Sequence, residues 1–367
     1  MDLSKAFDCL PHGLMVSKLH AYGLDIPACE LVASYLSERK QRVKVADARS
    51  DWRTLTKGVP QGSILGPLLF NIFVNDLFYF MEKTQLYNYA DDNSLQVFKR
   101  MVDDVIACLE HDGKNAVNWF KINGMQANPE KFQLMILSSG AACNRSIVLD
   151  DVIIQSEQNV KCLGVTIDSR LNFSLHISNC CRKAARQLNA LARISKYLDP
   201  ASRKVIYNSF VISNFTYCPL VWHFCGKKNN NKIEKIQERA LRILYKDNVS
   251  TYGELTDKAD SSTMLISRLK VLALETFKSM QQINTPAMND LFTQNDVPYS
   301  MRNSMKAIQP KRKTTTYGLR SISYLGPKIW NELLSKNSDI ANMDLQCFKT
   351  FIRTWQGPSC LDTGHYV

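Results

Sequence analysis

The stretch from Leu86 to Phe98 constrains this chain more than any other. Two short runs with strand character, expected over 86–90 and 94–98, flank Asp91-Asp92, so two adjacent carboxylates fall at a tight hairpin turn. A turn by itself favours Asn-Gly or Asp-Gly. Neighbouring carboxylates also repel each other and resist joint ionisation. As a lone dipeptide, Asp-Asp at a turn is more often a structural accident than a site. A pair of divalent cations would remove the conflict, because hard Mg²⁺ takes carboxylate oxygens and keeps places for phosphate and water. Two metals about 3.5–4 Å apart can hold the attacking and leaving oxygens of an in-line phosphoryl transfer.

A two-metal site needs a carboxylate from a second strand, and Asp2-Leu3-Ser4-Lys5-Ala6-Phe7-Asp8 offers one. Between the two lies Pro60-Gln61-Gly62-Ser63-Ile64-Leu65-Gly66-Pro67-Leu68-Leu69-Phe70. A Gly-flanked polar loop opening a helix suits closure on a nucleotide or base pair, since glycine lets backbone approach closely. Each piece has a bland explanation when taken singly. Their order and spacing together are specific.

Around these segments, helical spacing predicts two helices within 11–40, broken near Gly23 and Pro27. Period-two alternation predicts a hairpin from 42–45 and 52–56 around Asp47-Ala48-Arg49-Ser50. A strongly apolar helix should follow the loop at 58–63 and run through about Met81, with another over 102–120. Short strands are expected over 131–137, 146–154 and 160–167. Strands clustered after helices indicate an α+β sheet packed on helices. From 176 to 246 the chain reads as helical and basic, with Leu188, Leu191, Ile194 and Leu198 on one stripe. Arg182, Lys183, Arg186, Arg193 and Lys196 lie mostly off that stripe, and a solvated face accounts for them as readily as a nucleic-acid track. Lys227 to Lys232 reads as a polar loop, and 302–320 as an exposed basic segment without acidic residues.

With 367 residues the chain can hold two or three domains. The balance of 46 Lys+Arg against 34 Asp+Glu gives +12, which suits a polyanionic partner, most often nucleic acid. No apolar run is long enough for a membrane span, and the first residues lack the apolar core of a signal peptide. Eleven scattered cysteines, an odd number, point to free thiols in a reducing compartment. The expected location is therefore intracellular and soluble. Cys218, His223 and Cys225 lack a fourth zinc ligand and the usual spacing, so core packing is their expected role.

Set side by side, the motifs resemble those of reverse transcriptases. Asp2 to Asp8 resembles motif A, Gly58 to Phe70 motif B, and Tyr89-Ala90-Asp91-Asp92 the Tyr-x-Asp-Asp box of motif C. Asn128-Pro129-Glu130-Lys131 resembles the lysine-bearing motif D, and Cys162-Leu163-Gly164-Val165 the motif E turn. The wording of motifs A and B is similar to that of non-LTR (LINE) retrotransposons, particularly the jockey-like group. Ser323 to Asn331 is also similar to such reading frames, less specifically.

The resemblance implies an α+β palm, an antiparallel sheet packed on helices, over 1–170. A helical thumb-like domain over 171–250 and a mixed C-terminal region over 251–367 would follow. It implies RNA-directed DNA polymerase chemistry with two Mg²⁺ ions (Mn²⁺ as a substitute), an RNA template, a DNA primer and dNTP. Asp2, Asp91 and Asp92 would bind the metals, with the Leu3 carbonyl as a further ligand. Phe7 would exclude a ribose 2′-hydroxyl, and Gln61 and Gly62 would contact the incoming nucleotide. Lys131 would be the general acid, Leu163 and Gly164 the primer grip, and Asp8 structural. Phe7 and motif B weigh against a maturase or an RNA-synthesising enzyme. Location in the nucleus on engaging target DNA would follow, and no obligate protein partner is inferable. The family carries a fingers region and an endonuclease upstream, so the chain is expected to be a copy truncated at its N-terminus. The alternative expectation is an inactive relic that only binds nucleic acid.

Overall fold

The computed structural model describes residues 1, 3–137, 144–295, 306–314 and 318–358. They mix helices with small antiparallel sheets, the expected α+β class, in two compact units, Met1–Leu163 and Gly164–Val367.

The first unit opens with strand β1 (Leu3–Ser4), then helices α1 (His12–Ala21) and α2 (Ile26–Leu36). The helices break at Gly23, whose φ of +98° is open to glycine. Helix α2 restarts where the Asp25 carboxylate accepts the Ala28 amide at 3.0 Å. A ribbon follows, made of β2 (Lys40–Gln41), β3 (Lys44–Val45), β4 (Ala48–Arg49) and β5 (Arg53–Thr54). Its turn is Ala46-Asp47, tighter than the expected Asp47 to Ser50. Ala46 takes a φ of +50°, and Ala48 and Arg49 are drawn into pairing with Val45 and Lys44.

Helix α3 (Leu65–Val74) passes into a 3₁₀ helix, Asn75–Phe80. The buried Lys18 ammonium closes its end, donating to the Phe73 carbonyl and to Asp76, both at 2.8 Å. Strands β6 (Gln85–Tyr89) and β7 (Asp92–Gln96) form a hairpin, and α4 (Val102–Ile122) follows. Strand β8 (Gln126–Ala127) runs antiparallel to β1. The strand expected over 131–137 is absent from its described residues: Pro129–Lys131 is a 3₁₀ turn, and only Leu134 makes a bridge, to Ser156. Phe132 and Leu134 are buried instead as anchors. The strand expected over 146–154 is a hairpin, β9 (Ser146–Leu149) and β10 (Val152–Gln155). Its turn residues Asp150 and Asp151 both take positive φ, 49° and 62°, as a tight hairpin turn requires. Strand β11 (Asn159–Cys162) closes the unit. Leu10, Met15, Leu19, Phe70, Phe73 and Phe120 are at the centre of its main core.

The second unit begins with β12 (Val165–Asp168) and, apart from a bridge between Gln294 and Ala307, is otherwise helical among the described residues. Its helices are α5 (Ser174–Ile194), α6 (Pro200–Ile206), α7 (Ser213–Thr216), α8 (Lys227–Tyr245), α9 (Tyr252–Lys258) and α10 (Met264–Met280). Then come α11 (Pro286–Asn289), α12 (Ile322–Lys336) and α13 (Leu345–Thr354). The expected loop at 227–232 is the start of α8. Its polar side chains have partners: Asn229 donates to Ser174 Oγ and to the Cys225 carbonyl, both at 2.9 Å, and Asn230 accepts from the buried Arg268. One core gathers α5 and α8 around Leu188, Trp222 and Leu241. Another gathers α10, α12 and α13 around Phe277, Trp330 and Phe348. Among the described residues no helix is long and apolar enough to cross a membrane.

Candidate active site

The β6–β7 hairpin turns on Ala90 and Asp91, with Tyr89 facing Asp92 across its last pair. The strands thus start and stop earlier than expected, and Asp92 opens a strand. The turn is braced from its side chains. Asn88 Nδ2 donates to the Ala90 carbonyl at 2.9 Å and to Asn93 Oδ1 at 2.8 Å, while Asn93 Nδ2 donates to the Asp91 carbonyl at 3.0 Å. Ala90 is held at φ +52°, an uncommon conformation for a residue with a Cβ. Asn93 is 3% exposed, so its amide is committed to the turn. Asp91 is half-buried and Asp92 exposed. Among the described residues, neither carboxylate has a hydrogen-bond or ion-pair partner.

The first residues of the chain lie against this hairpin. Met1 and Asn93 exchange backbone hydrogen bonds, the Met1 nitrogen donating at 2.5 Å and the Asn93 amide donating back at 3.3 Å. Beyond Met1 the same segment pairs with β8, Leu3 opposite Ala127. Leu3 is therefore on the segment next to the strand that carries Asp92, with its side chain in the core. Asp2 lies outside the described residues.

The two other motif segments converge on each other. The Phe7 ring stacks on Phe70 of α3, centroids 4.3 Å apart and planes 22° apart. Gln61 Nε2 donates to Asp8 Oδ1 at 2.9 Å, tying the loop before α3 to the 3₁₀ turn Ala6–Asp8. The Val59 amide donates to the Phe7 carbonyl at 2.9 Å and the Gly58 amide to Leu10 at 2.8 Å. A Cβ on Gly58 would sit 2.7 Å from Asp8 Cα, so the contact is backbone on backbone. Ser63 Oγ donates to the Pro60 carbonyl at 2.7 Å and accepts the Gly66 amide at 3.0 Å, a cap that sets where α3 starts. Gln61 and Gly62 are exposed at the loop's crest.

Lys131 is exposed at the end of its 3₁₀ turn. Leu163 and Gly164 form the turn between β11 and β12, at φ of +43° and +85°. Asp112 lies outside the motifs that the sequence singles out. Its fully buried carboxylate accepts the Glu82, Lys83 and Thr84 amides and the Thr84 hydroxyl at 2.7–3.2 Å, which fixes the entry to β6. Burial pushes its pKa up, but the Thr84 hydroxyl and the three amides pull harder, and the net shift is below the usual carboxylate value. The signal was available: an aspartate three residues after Leu109, on the helix's inward face.

Among the described residues no three His, Cys, Asp or Glu side chains are grouped to hold a metal. At the hairpin the described donors are the two free carboxylates, with the Leu3 carbonyl on the segment alongside. This is an all-oxygen set, chemically suited to Mg²⁺ rather than to a soft metal.

Residues 1–167 match the family described as reverse transcriptase (RNA-dependent DNA polymerase). They belong to it. The relatives come from transposons and other mobile elements. The probable RNA-directed DNA polymerase from transposon BS of Drosophila melanogaster is 30% identical over 259 residues, 66% of this chain and 28% of the relative. The RNA-directed DNA polymerase from mobile element jockey of the same species is 29% identical over 256 residues, 66% of this chain and 27% of that one. A Pol polyprotein from type-1 retrotransposable element R2 of Popillia japonica is 24% identical over 152 residues, 39% of this chain and 21% of the relative. The chain thus spans little more than a quarter of the length of these two Drosophila relatives.

Proposed function

We propose that this reverse transcriptase domain extends a DNA 3′-hydroxyl on an RNA template, with residues 1–170 as palm and 171–250 as thumb. The reading is carried by one observation. A braced turn presents two carboxylates that have no partner among the described residues, beside the segment that bears Leu3, whereas the buried Asp112 is consumed by structural bonds. Asp91 and Asp92, with Asp2 and the Leu3 carbonyl, would hold two Mg²⁺ ions. Bound there, the metal supplies a lowered pKa for the primer hydroxyl and charge compensation for the triphosphate.

The chain's own groups supply the rest. The Asn88–Asn93 brace fixes the backbone that carries the carboxylates, so that less reorganisation would be left for the reaction itself. Phe7, held against Phe70, presents a flat ring as the gate against a ribose 2′-hydroxyl. Gln61 and Gly62 stand at the loop crest to meet the nucleotide, with Asp8 orienting Gln61. Lys131 would give a proton to the departing pyrophosphate, and the Leu163-Gly164 turn would seat the primer.

Titration with Mn²⁺ as the probe tests the site without requiring turnover. The wild-type chain should bind, and Asp91→Asn should lose affinity by at least about tenfold. In parallel, Mg²⁺-dependent dNTP incorporation on an RNA template should be abolished in the same variant. Equal Mn²⁺ binding by wild type and Asp91→Asn would sink the assignment.

A further inference from the structure

We propose that the β2–β5 ribbon is a docking arm for single-stranded nucleic acid, with Trp52 as the platform on which a base stacks. The proposal rests on the polymerase reading above, because the strand it would hold is the template on its way to the site.

The ribbon is unusual in what it does not bury. All residues from 40 to 54 are exposed. A two-stranded ribbon without an apolar face to pack is marginal in water, and both of its edges offer unpaired backbone. Its charge is just as distinctive. Residues 1–163 hold 17 Lys+Arg against 19 Asp+Glu, a net of −2. Residues 39–57 alone hold seven against two, a net of +5. Among the described residues none of those seven cations is in an ion pair.

The pairing shows how the face is built. Gln41 is opposite Arg53, and Val43 pairs with Ser50, whose amide donates to the Val43 carbonyl at 2.9 Å. Between these pairs Arg42 alone faces two residues, Asp51 and Trp52. That is a β-bulge, a device that re-aims a side chain. Here it turns Trp52 under Arg42, the guanidinium 4.4 Å from a ring centroid, with the indole still 58% exposed. Lys40, Arg42 and Lys44 follow at period two, and Arg49 is opposite Lys44. Four cations and one indole therefore share a face.

Alternate strand residues are about 6.8 Å apart, a spacing commensurate with the phosphates of an extended strand. Every base has a π face, so an exposed indole among cations takes single strands without regard to sequence, whereas a duplex keeps its bases stacked inside. Position fits as well. Lys57, at the ribbon's exit, bridges to Pro11, and Val59, two residues on, bonds to Phe7. A strand passing Phe7 would meet the ribbon next.

The test is fluorescence anisotropy with the full chain, in EDTA and without nucleotides. The probes are a labelled RNA–DNA hybrid with an unpaired RNA overhang and the same hybrid blunt-ended. The overhang should tighten binding, and Trp52→Ala should remove about tenfold of that gain while leaving the blunt hybrid unchanged. Trp52→Tyr, which keeps a ring, should retain most of it. Lys44→Gln with Arg49→Gln should lower the salt slope on the overhang probe by about 1.4, at about 0.7 for each phosphate no longer neutralised. Equal losses of affinity on both probes, or no loss on either, would overturn the proposal. Because no metal enters the measurement, its failure is distinguishable from loss of Mn²⁺ binding at Asp91.

Discussion

The aspartates of this chain divide by what they hold. Asp168 accepts the Arg170, Asn172 and Phe173 amides, and Asp112 takes four donors. The chain even contains a second adjacent pair at a hairpin turn, Asp150-Asp151. There both residues take positive φ, and Asp150 meets Lys121 at 2.6 Å. That pair is what turn chemistry alone produces. Asp91-Asp92 differs in having its turn strain carried by Ala90 and its carboxylates left over among the described residues. Asp112 carries a prediction of its own. Asp112→Asn puts an amide donor where three amides already donate, and should cost about 2–3 kcal/mol. The folded-state pKa of Asp112 lies below its ordinary 3.8, so its contribution is present above that value and is lost as pH falls through the lowered one. Urea midpoints measured from neutral to acid should converge for wild type and variant. A constant gap would show that the carboxylate's charge is not what Glu82 to Thr84 hold on to.

At the scale of elements, legibility followed the strength of the local signal. Helices α1, α2 and α4 were readable because Gly23, Pro27 and a long apolar stripe act within a few residues. The hairpin at 150–151 was read through as a single strand, whereas the turn at 163–164 was legible only through its resemblance to motif E. The 150–151 turn uses Asp-Asp, and the left-handed conformation of Asp150 and Asp151 comes with the pairing of β9 and β10 rather than being announced by composition. The start of α8 was hidden for a related reason: Asn229 and Asn230 look like loop residues until Ser174 and Arg268 answer them. In the site, residue types were legible and the braces were not, since Asn88, Asn93 and Asp112 act through partners distant in sequence or hidden by an ordinary composition. The junction of the Ala6–Asp8 turn with the loop before α3 gives the second prediction. Gly58 and Gly62 both have positive φ, +85° and +79°, but only Gly58 has backbone within 3 Å of where a Cβ would go. Gly62→Ala should cost about 1–2 kcal/mol from the backbone alone, and Gly58→Ala at least about 2 kcal/mol more from the collision. Chemical denaturation of the two variants checks it; equal costs would mean that the Asp8 backbone yields.

At the scale of the whole molecule, the charge is not shared. Residues 1–163 have a net charge of −2, and residues 164–367, with 29 Lys+Arg against 15 Asp+Glu, have +14. The entire excess sits in the helical unit, outside the unit that carries the carboxylates. If the first unit holds two metals as proposed, they would supply positive charge at that site, whereas holding a long polyanion requires many phosphate contacts. Helix α5 shows how such contacts are arranged. Ile177, Ala184, Leu188 and Leu191 face the core, and the exposed Arg182, Arg186 and Arg193 lie on the opposite side, at the four- and seven-residue intervals that keep one helix face. Charges aligned there touch no core residue, so changing them should leave folding intact within about 0.5 kcal/mol each. Arg182→Gln, Arg186→Gln and Arg193→Gln together should therefore weaken binding to an RNA–DNA hybrid in proportion to the number of phosphates they neutralise. The logarithmic salt slope should fall by about 0.9 for each such phosphate, up to about 2.7. Substituting as many exposed lysines in the first unit outside the ribbon should barely move it. If the slope is unchanged in the α5 variant while its thermal midpoint is also unchanged, the arginine face is a solvated surface and the polyanion is held elsewhere on the +14 unit.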